Sequence, residues 1–497
     1  MNRTEARPLD SLDPRLARIC DAHLGALRVP GASVALVVND RCYHLAWGHK
    51  SVGVNDPVTL NTGFDIGSGS KSFVSATVAS LVADGLVNWD DPVVRHVPEF
   101  ELYDPWVTQQ VSFRDLCGNR LGLPRAGLME AGLSPSYPAE YVFPRLRHTA
   151  PIAPFRSRFT YVNAGHTAAA VAAGRITGLG FLATLRQRIL SPLGMNNTSG
   201  GFEARSALAD QAGWHAHVQG RPVAIESLFT DQFLGAGGMV VSGVDALQWL
   251  RLHLGGGLVN GVQVVERKAL LETHTPQVVA RPGSDILSLF CPDAHMASYG
   301  LGWAVSDLQG HPLVCHSGAT FGATSMTLLL PSDGIGIAVY ANSAAPVTTP
   351  LAYALASVLL NLPPRDWAAW YESATLRALG QTTHEAAALA DTALQTDHPL
   401  DLTPFVGRFE HPADGELLLS ATEGGLMGHV PQGYRMGFRA LPMLKAGEQV
   451  FRVLFEHTER QSAPPGELRF TIANGYAVSV LFSFGVGSRE FTRSDRN

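Results

Sequence analysis

Apolar positions along the 497-residue chain change their period several times. Between residues 14 and 28, Leu16, Ile19, Cys20, His23, Leu24 and Leu27 share the three- and four-residue spacing of an amphipathic helix, which Pro30-Gly31 ends. GASVALVVND and RCYHLAWGH follow as apolar runs around a polar Asn39-Asp40 turn, predicting a hairpin or meander that opens a sheet. Residues 61 to 85, NTGFDIGSGSKSFVSATVASLVADG, return to helical spacing at Phe73, Val74, Val78, Leu81 and Val82, with Gly85 as terminator. That predicts a buried amphipathic helix. The stretch from about 86 to 290 reads as mainly helical, including VSFRDLCG and FLATLRQRILSPLGM, with Gly- and Pro-bearing loops. Strand-like runs resume near 299 to 345, in YGLGWAV, HPLVCHSGATFGATSMTLLL and GIGIAVYAN. After a polar helical segment from 363 to 402, six or more short strands separated by Asp414-Gly415, Gly424-Gly425 and Asn474-Gly475 turns predict a small antiparallel barrel. The fold class expected is therefore α+β.

Composition narrows the partners more than the fold. Charged residues make up 16% and the formal net charge is -6, which gives no footing for a nucleic-acid or anionic-membrane role. The N-terminal stretch MNRTEARPLDSLDPRLARIC has no apolar run of signal-peptide length, and LAYALASVLLNL at 351 to 362 is too short to span a bilayer. A cytoplasmic setting is expected. Cys20, Cys42, Cys117, Cys291 and Cys315 are scattered without C-x-x-C spacing, as reduced thiols would be. His215 and His217 lack a third ligand nearby and read as a solvated loop or strand face, so neither a metal nor a cofactor is expected.

Three stretches carry candidate chemistry. Ser68 and Lys71 lie three apart in the first turn of the 61–85 helix, so the amine can reach back to the hydroxyl: a nucleophile beside a base. Lys71 falls in phase with Val74 and Val78 on the core-facing stripe, where burial and the helix dipole favour a neutral amine. The helix N-terminus offers N–H groups to an oxyanion, and Gly67 and Gly69 leave room for a carbonyl. The same residues also read as an N-cap serine and a snorkelling lysine. Tyr161-Val162-Asn163 sits in a turn before an Ala-rich helix, suited to a working phenol and amide or to a packed Tyr and a capping Asn. His316-Ser317-Gly318 ends a strand; the histidine reads as catalytic or structural, and Gly318 would let a substrate backbone approach.

Taken in order, Ser68-Gly-Ser-Lys71, Tyr161-Val-Asn163 and His316-Ser-Gly318 resemble the serine β-lactamase and penicillin-binding-protein superfamily. The nearer likeness is to its class C-related branch, with family VIII carboxylesterases and D-aminopeptidases. The flanks VPGASVALV, FDIGSGSKSF, FRSRFTYVNAGH, SPLGM, GAGGMVVSGVDALQWL and YGLGW agree in order, and the resemblance covers about residues 14 to 360. It implies an antiparallel sheet of five to nine strands flanked by helices, an all-helical subdomain, and a groove between them. Ser68 would attack a carbonyl, Lys71 would take its proton directly or through Tyr161, and Tyr161 would protonate the leaving group. His316 would stand in for the lysine of K-T-G, as in the esterase and aminopeptidase members. Amides of Ser68 and Ala319 would form the oxyanion hole, and Asn163, Ser317, Gly318, Ala319 and Asn342 make up the expected substrate-binding set. The usual L-L-T-H-T-S-G-L is here Leu116-Cys-Gly-Asn-Arg-Leu-Gly-Leu123, a departure near the groove. The C-terminal part resembles the lipocalin-like domain of related hydrolases, with Phe405 and Phe409 in place of both tyrosines of Y-x-G-x-Y. The expected division is a hydrolase domain at 14–362, a helical linker at 363–402 and a lipocalin-like barrel at 403–495. The expected activity is a metal-independent serine hydrolase for small ester, amide or short-peptide substrates, with homo-oligomers through the barrel. An acyltransferase using the same acyl-enzyme and a non-catalytic scaffold are the alternatives. Groove loops at 118–137 and 280–298 are expected to set substrate preference.

Overall fold

The computed structural model describes residues 6–125, 139–201, 208–218, 220–226, 234–280, 294–378, 401–423, 425–429, 437–445, 448–455, 466–484 and 487–494. Most of both groove loops, 126–138 and 281–293, thus lies outside the described residues, as does Cys291.

Nine strands form one sheet: β1 (Arg7–Pro8), β2 (Gly31–Val38), β3 (Arg41–Gly48), β4 (Val278–Ala280), β5 (Ala297–Tyr299), β6 (Ala304–Leu308), β7 (His311–Ala319), β8 (Thr324–Leu330) and β9 (Ile335–Ala341). Their order is β1-β3-β2-β9-β8-β7-β6-β5-β4, antiparallel except for the β1–β3 pair. Asn39 and Asp40 both take positive φ, 49° and 66°, in the tight turn that joins β2 to β3. Apart from Ser33, the run GASVALVV has no polar side chain, because both faces of the sheet are covered. Val34 and Leu36 pack with helices α1 (Pro14–Ala26) and, later in the chain, Thr348–Leu359, while Ala35 and Val37 face the larger core.

That larger core contains α2 (Ser70–Ala83), α3 (Phe113–Cys117), α4 (Asn163–Thr177) and α5 (Gly243–Leu254). Helix α2 departs from the amphipathic expectation, because Ser70 through Leu81 are all buried and no polar face meets water. Three of its hydroxyls bond to nearby main chain: Ser72 Oγ donates to Gly69 O (2.7 Å), Thr77 Oγ1 to Phe73 O (2.8 Å) and Ser80 Oγ to Thr77 O (2.7 Å). Phe73 stacks on Trp249 of α5 at 3.9 Å. Each such buried apolar side chain contributes about 1.5–3 kcal/mol.

Beyond α6 (Thr348–Leu359), α7 (Trp367–Ala378) begins the segment expected to be a linker. Trp367 is buried against α6 and donates to Ser357 Oγ at 3.0 Å, so this part is docked rather than a bare connector. The last eight strands, Gly407–His411, Gly415–Thr422, Gly425–His429, Gly437–Lys445, Glu448–Phe455, Gly466–Ala473, Tyr476–Phe484 and Gly487–Arg493, close into an up-and-down antiparallel barrel. Phe405, Phe409, Phe451 and Phe470 pack edge to face in its filled interior, which explains phenyl rings at both entry positions. Phe321, from the turn between β7 and β8, packs against the barrel core and fastens the two domains together.

His215, expected on a solvated face, is instead fully buried in the strand Trp214–Val218. Its Nδ1 donates to Asn342 O (2.7 Å) and its Nε2 accepts from Val52 N (3.1 Å). His217 meets Ser343 Oγ at 2.9 Å.

Three other fully buried histidines make stability depend on pH. Burial holds His166 and His253 well below the usual imidazole range, and His316 down to about 3. The unfolded chain, titrating near 6.5, therefore binds more protons than the folded one as the pH drops below that value. Stability present above pH 6.5 is lost on acidification toward pH 3, by up to about 1.4 kcal/mol per pH unit for each histidine. Urea-unfolding midpoints should be flat from pH 7 to 8 and fall between pH 6.5 and 5. A level profile across the acid range would contradict the burial of neutral imidazoles.

Candidate active site

Ser68 sits in a single 3-10 turn, Gly67–Gly69, that runs directly into α2. Four bonds that involve side chains help hold this turn. Gly67 N donates to Asp65 Oδ1 (3.0 Å), and Ser70 Oγ donates to Gly67 O (2.7 Å) while accepting from Met239 N (3.1 Å). Ser325 Oγ of β8 donates to Ile66 O at 2.7 Å. Gly67 has φ +49°, and a Cβ there would lie 2.8 Å from both N and O of Ala319. A glycine is needed for the turn to come this close to the end of β7. Ser68 itself is partly exposed amid buried neighbours.

Lys71 is fully buried, one turn deeper. Its Nζ lies 3.0 Å from Ser68 Oγ, 2.8 Å from Asn163 Oδ1 and 2.8 Å from Ala236 O. All three neighbours are uncharged. In its neutral form the amine would give its two hydrogens to the two carbonyl-type oxygens, leaving its lone pair for the serine O–H. Sequence reasoning misses Ala236, since a backbone carbonyl has no residue-type signature. The signal available is Gly235, where a Cβ would lie 2.5 Å from His166 O, so only glycine brings this loop onto α4.

Asn163 opens α4, and the Tyr161 ring centroid is 4.7 Å from Lys71 Nζ. Asn119, in the left-handed region at φ 52°, fixes this tripeptide from below. Its Oδ1 accepts from Val162 N (3.0 Å) and its carbonyl from Thr160 N (2.8 Å). A further bond runs from Gly122 N to Thr160 Oγ1 at 3.1 Å, so residues 119–122 are tied to the Y-V-N approach at several points. The departure Leu116–Leu123 therefore supports Tyr161 and Asn163 from beneath. Phe159 tilts against both Tyr161 and Tyr299, at 6.3 and 5.1 Å, and sets the plane of the phenol. Arg125, not singled out in the sequence, brings its guanidinium carbon 5.1 Å from the Tyr161 centroid.

Three expectations change. His316, expected as a catalytic group in the groove, is fully buried, with its ring 6.3 Å from that of Tyr161. Its Nδ1 lies 2.6 Å from Ser317 O, which can only accept, so Nδ1 carries the proton and Nε2 accepts from Tyr299 O–H at 3.0 Å. Burial, Lys71 and a backbone bond together leave it at about 3, hence neutral, with both ring nitrogens engaged. Its ring lies between those of Tyr161 and Tyr299, 6.3 and 6.0 Å away. Burial also pushes the Tyr299 hydroxyl well above the phenol range, so it remains the donor. Gly318 serves the chain itself rather than a substrate backbone: a Cβ there would lie 1.9 Å from Ile66 O. Asn342, expected to bind substrate, is buried and clamps backbone instead, accepting from Gly31 N (2.7 Å) and donating to His49 O (3.2 Å) and Lys50 O (2.9 Å). Ser317 is partly exposed and Ala319 exposed, at the end of β7 beside the nucleophile turn.

Residues 16–360 match the family model described as Beta-lactamase. The chain belongs to the beta-lactamase family. The match ends with α6, so the barrel lies beyond it. Among relatives of this beta-lactamase family chain, the unguisins hydrolase of Aspergillus campestris is 26% identical over 445 residues, covering 82% of this chain and 78% of that protein. Penicillin-binding protein 4 of Amycolatopsis lactamdurans is 24% identical over 322 residues, 63% of this chain and 81% of the relative. The fold is shared with the octameric penicillin-binding protein homologue from Pyrococcus abyssi, at a TM-score of 0.63 and 18% identity over 96% of this chain and 99% of that one. That likeness extends past the family match into the C-terminal region. Among the described residues no group of three or more His, Cys, Asp or Glu side chains is placed to hold a metal ion.

Proposed function

We propose that this protein is a serine hydrolase that cleaves small ester or amide substrates, short peptides included, through an acyl-enzyme on Ser68. The observation that carries this reading is the Lys71 amine, 3.0 Å from Ser68 Oγ and held there by Asn163 Oδ1 and the Ala236 carbonyl. The names of the Aspergillus and Amycolatopsis relatives support the same class.

Ser68 Oγ attacks the carbonyl carbon as its proton passes to the Lys71 lone pair. The new C–O bond puts negative charge on the carbonyl oxygen, which in this reading the amides of Ser68 and Ala319 receive; Gly67, next to Ser68, comes close to Ala319 at the end of β7. When the intermediate collapses, the bond to the leaving oxygen or nitrogen breaks. That atom takes a proton from the Lys71 ammonium, directly or through the Tyr161 hydroxyl. Water then attacks the acyl carbon as its proton passes to the same amine, and the ammonium returns that proton to Ser68 Oγ as the acyl C–O bond breaks and the acid leaves. An acyl-enzyme of this kind can also pass its acyl group to an alcohol or amine, and product analysis with competing nucleophiles separates transfer from hydrolysis.

The test is a covalent one. Incubation with a fluorophosphonate should add one phosphonyl group to the intact protein, and Ser68→Ala should remove the adduct. No adduct on the native protein, or one that persists in Ser68→Ala, overturns the reading.

A further inference from the structure

Turn tips ordinarily carry small or polar residues, because they face water. The turn between β7 and β8, Thr320-Phe-Gly-Ala323, carries a phenyl ring instead, and Phe321 packs against the core of the barrel. The β7–β8 pairing ends with Ala319 opposite Thr324, and beyond it Thr320 N donates to Ala323 O at 2.8 Å. Gly322, next to the ring, is held by another element. Its carbonyl accepts from His215 N at 3.0 Å, and a Cβ there would lie 2.5 Å from Trp214 Cβ. The strand Trp214–Val218 thus closes on the same turn that the barrel takes by its ring. The barrel has a second foothold on the rest of the chain. Arg489, paired with Asp414 at 3.1 Å, reaches Thr149 Oγ1 at 3.4 Å. A body held in two places cannot swing freely about either, so the ring has a fixed seat. Two residues before the ring stands Ala319, and a Cβ on Gly67 would come within 2.8 Å of its N and O. Barrel, turn and nucleophile are therefore linked by contiguous contacts.

We propose that Phe321 is a positioning residue: seated in the barrel, it sets where Ala319 lies and so the width of the gap between Ala319 and Ser68. On the serine hydrolase reading, on which this proposal rests, the amides of these two residues receive the oxyanion. Hydrogen bonds to a developing charge act best from donors fixed beforehand, and a displacement of about 1 Å lowers rates by about 10²-fold. Removing the ring releases the turn on its barrel side, so Ala319 gains freedom that each transition state must take away again. The effect falls on reaction rather than on substrate binding, because the oxygen gains its charge only in the transition state.

Labelling of Ser68 by a fluorophosphonate, followed by intact mass over a range of probe concentrations, separates reaction from binding. Phe321→Ala should lower the maximal labelling rate by about tenfold to a hundredfold and leave the half-saturating concentration near the native value. Phe321→Leu keeps an apolar anchor and should recover part of the rate. Gly428→Ala, whose Cβ would lie 2.0 Å from the Phe438 ring, loads the barrel interior instead of the turn. It should lower the unfolding midpoint and label at near the native rate. A native maximal rate in Phe321→Ala, or in Phe321→Leu where Phe321→Ala does not fold, overturns the proposal. So does a loss confined to the half-saturating concentration, or equal slowing in Gly428→Ala. If the native protein takes up no label, or Ser68→Ala takes up as much, the hydrolase reading itself fails and the proposal with it.

Discussion

Lys71→Ala should reduce the rate of Ser68 acylation by about 10²- to 10⁴-fold, the contribution expected of a positioned base. Without the amine, the serine proton has no acceptor within reach on that side, and the hydroxyl is a poor nucleophile at neutral pH. The substitution should also destabilise the fold. Asn163 Oδ1 and Ala236 O would each lose a donor that now stands 2.8 Å away. A buried acceptor left without its donor costs about 1–3 kcal/mol, and the vacated side-chain volume adds a cavity term. Lys71→Met removes the base while filling most of that volume. Time-resolved intact-mass measurements with fluorophosphonate should show both variants nearly unlabelled, with the unfolding midpoint of Lys71→Ala the lower of the two. Labelling of Lys71→Met at the native rate would end the proposal that this amine is the base.

What is legible in the sequence follows from which interactions leave a mark on residue type. Ser68 and Lys71 are readable because side chains three apart at the start of a helix lie within reach of each other. The barrel is readable from its alternating runs and Gly-bearing turns, and the sheet from its uninterrupted apolar strands. Helix α2 reads as amphipathic because serine and threonine count as polar in a periodicity, yet here Ser72, Thr77 and Ser80 bond to nearby main chain and tolerate burial. His316 and Asn342 differ from expectation for a common reason. A strand-end polar residue can face the groove or be engaged by neighbouring chain, and only three-dimensional packing shows that Tyr299 and Gly31 hold these two. Ala236 and Asn119 act wholly or partly through main-chain groups, which any residue possesses. Arg125 carries no signal of its own in the sequence, because an arginine in a loop is ordinarily solvated, whereas here its guanidinium lies over Tyr161.

Gly318→Ala should cost more activity than stability, since the added methyl falls where the nucleophile turn meets the sheet. Its Cβ would stand 1.9 Å from Ile66 O and 2.6 Å from Ser325 Oγ, the hydroxyl that now donates to the same carbonyl. Ile66 O is main chain, so the overlap is relieved only by moving the Ile66–Ser68 turn away from β7 or by bending β7 outward. Either movement widens the gap between Ser68 and Ala319, across which the oxyanion would be held. A displacement of about 1 Å at a reacting centre lowers rates by about 10²-fold, while overpacking of this kind destabilises by about 1–3 kcal/mol. Gly428→Ala in the barrel is the matched control, because its Cβ would lie 2.0 Å from the Phe438 ring, remote from the nucleophile turn in the chain and in a different core. It should lower the unfolding midpoint to a similar degree and leave the labelling rate of Ser68 near the native value. If Gly318→Ala labels as fast as Gly428→Ala, the spacing between turn and strand is not what prepares the site. If it is slower by about two orders of magnitude at equal stability, the contact of Gly318 with Ile66 belongs to the catalytic geometry.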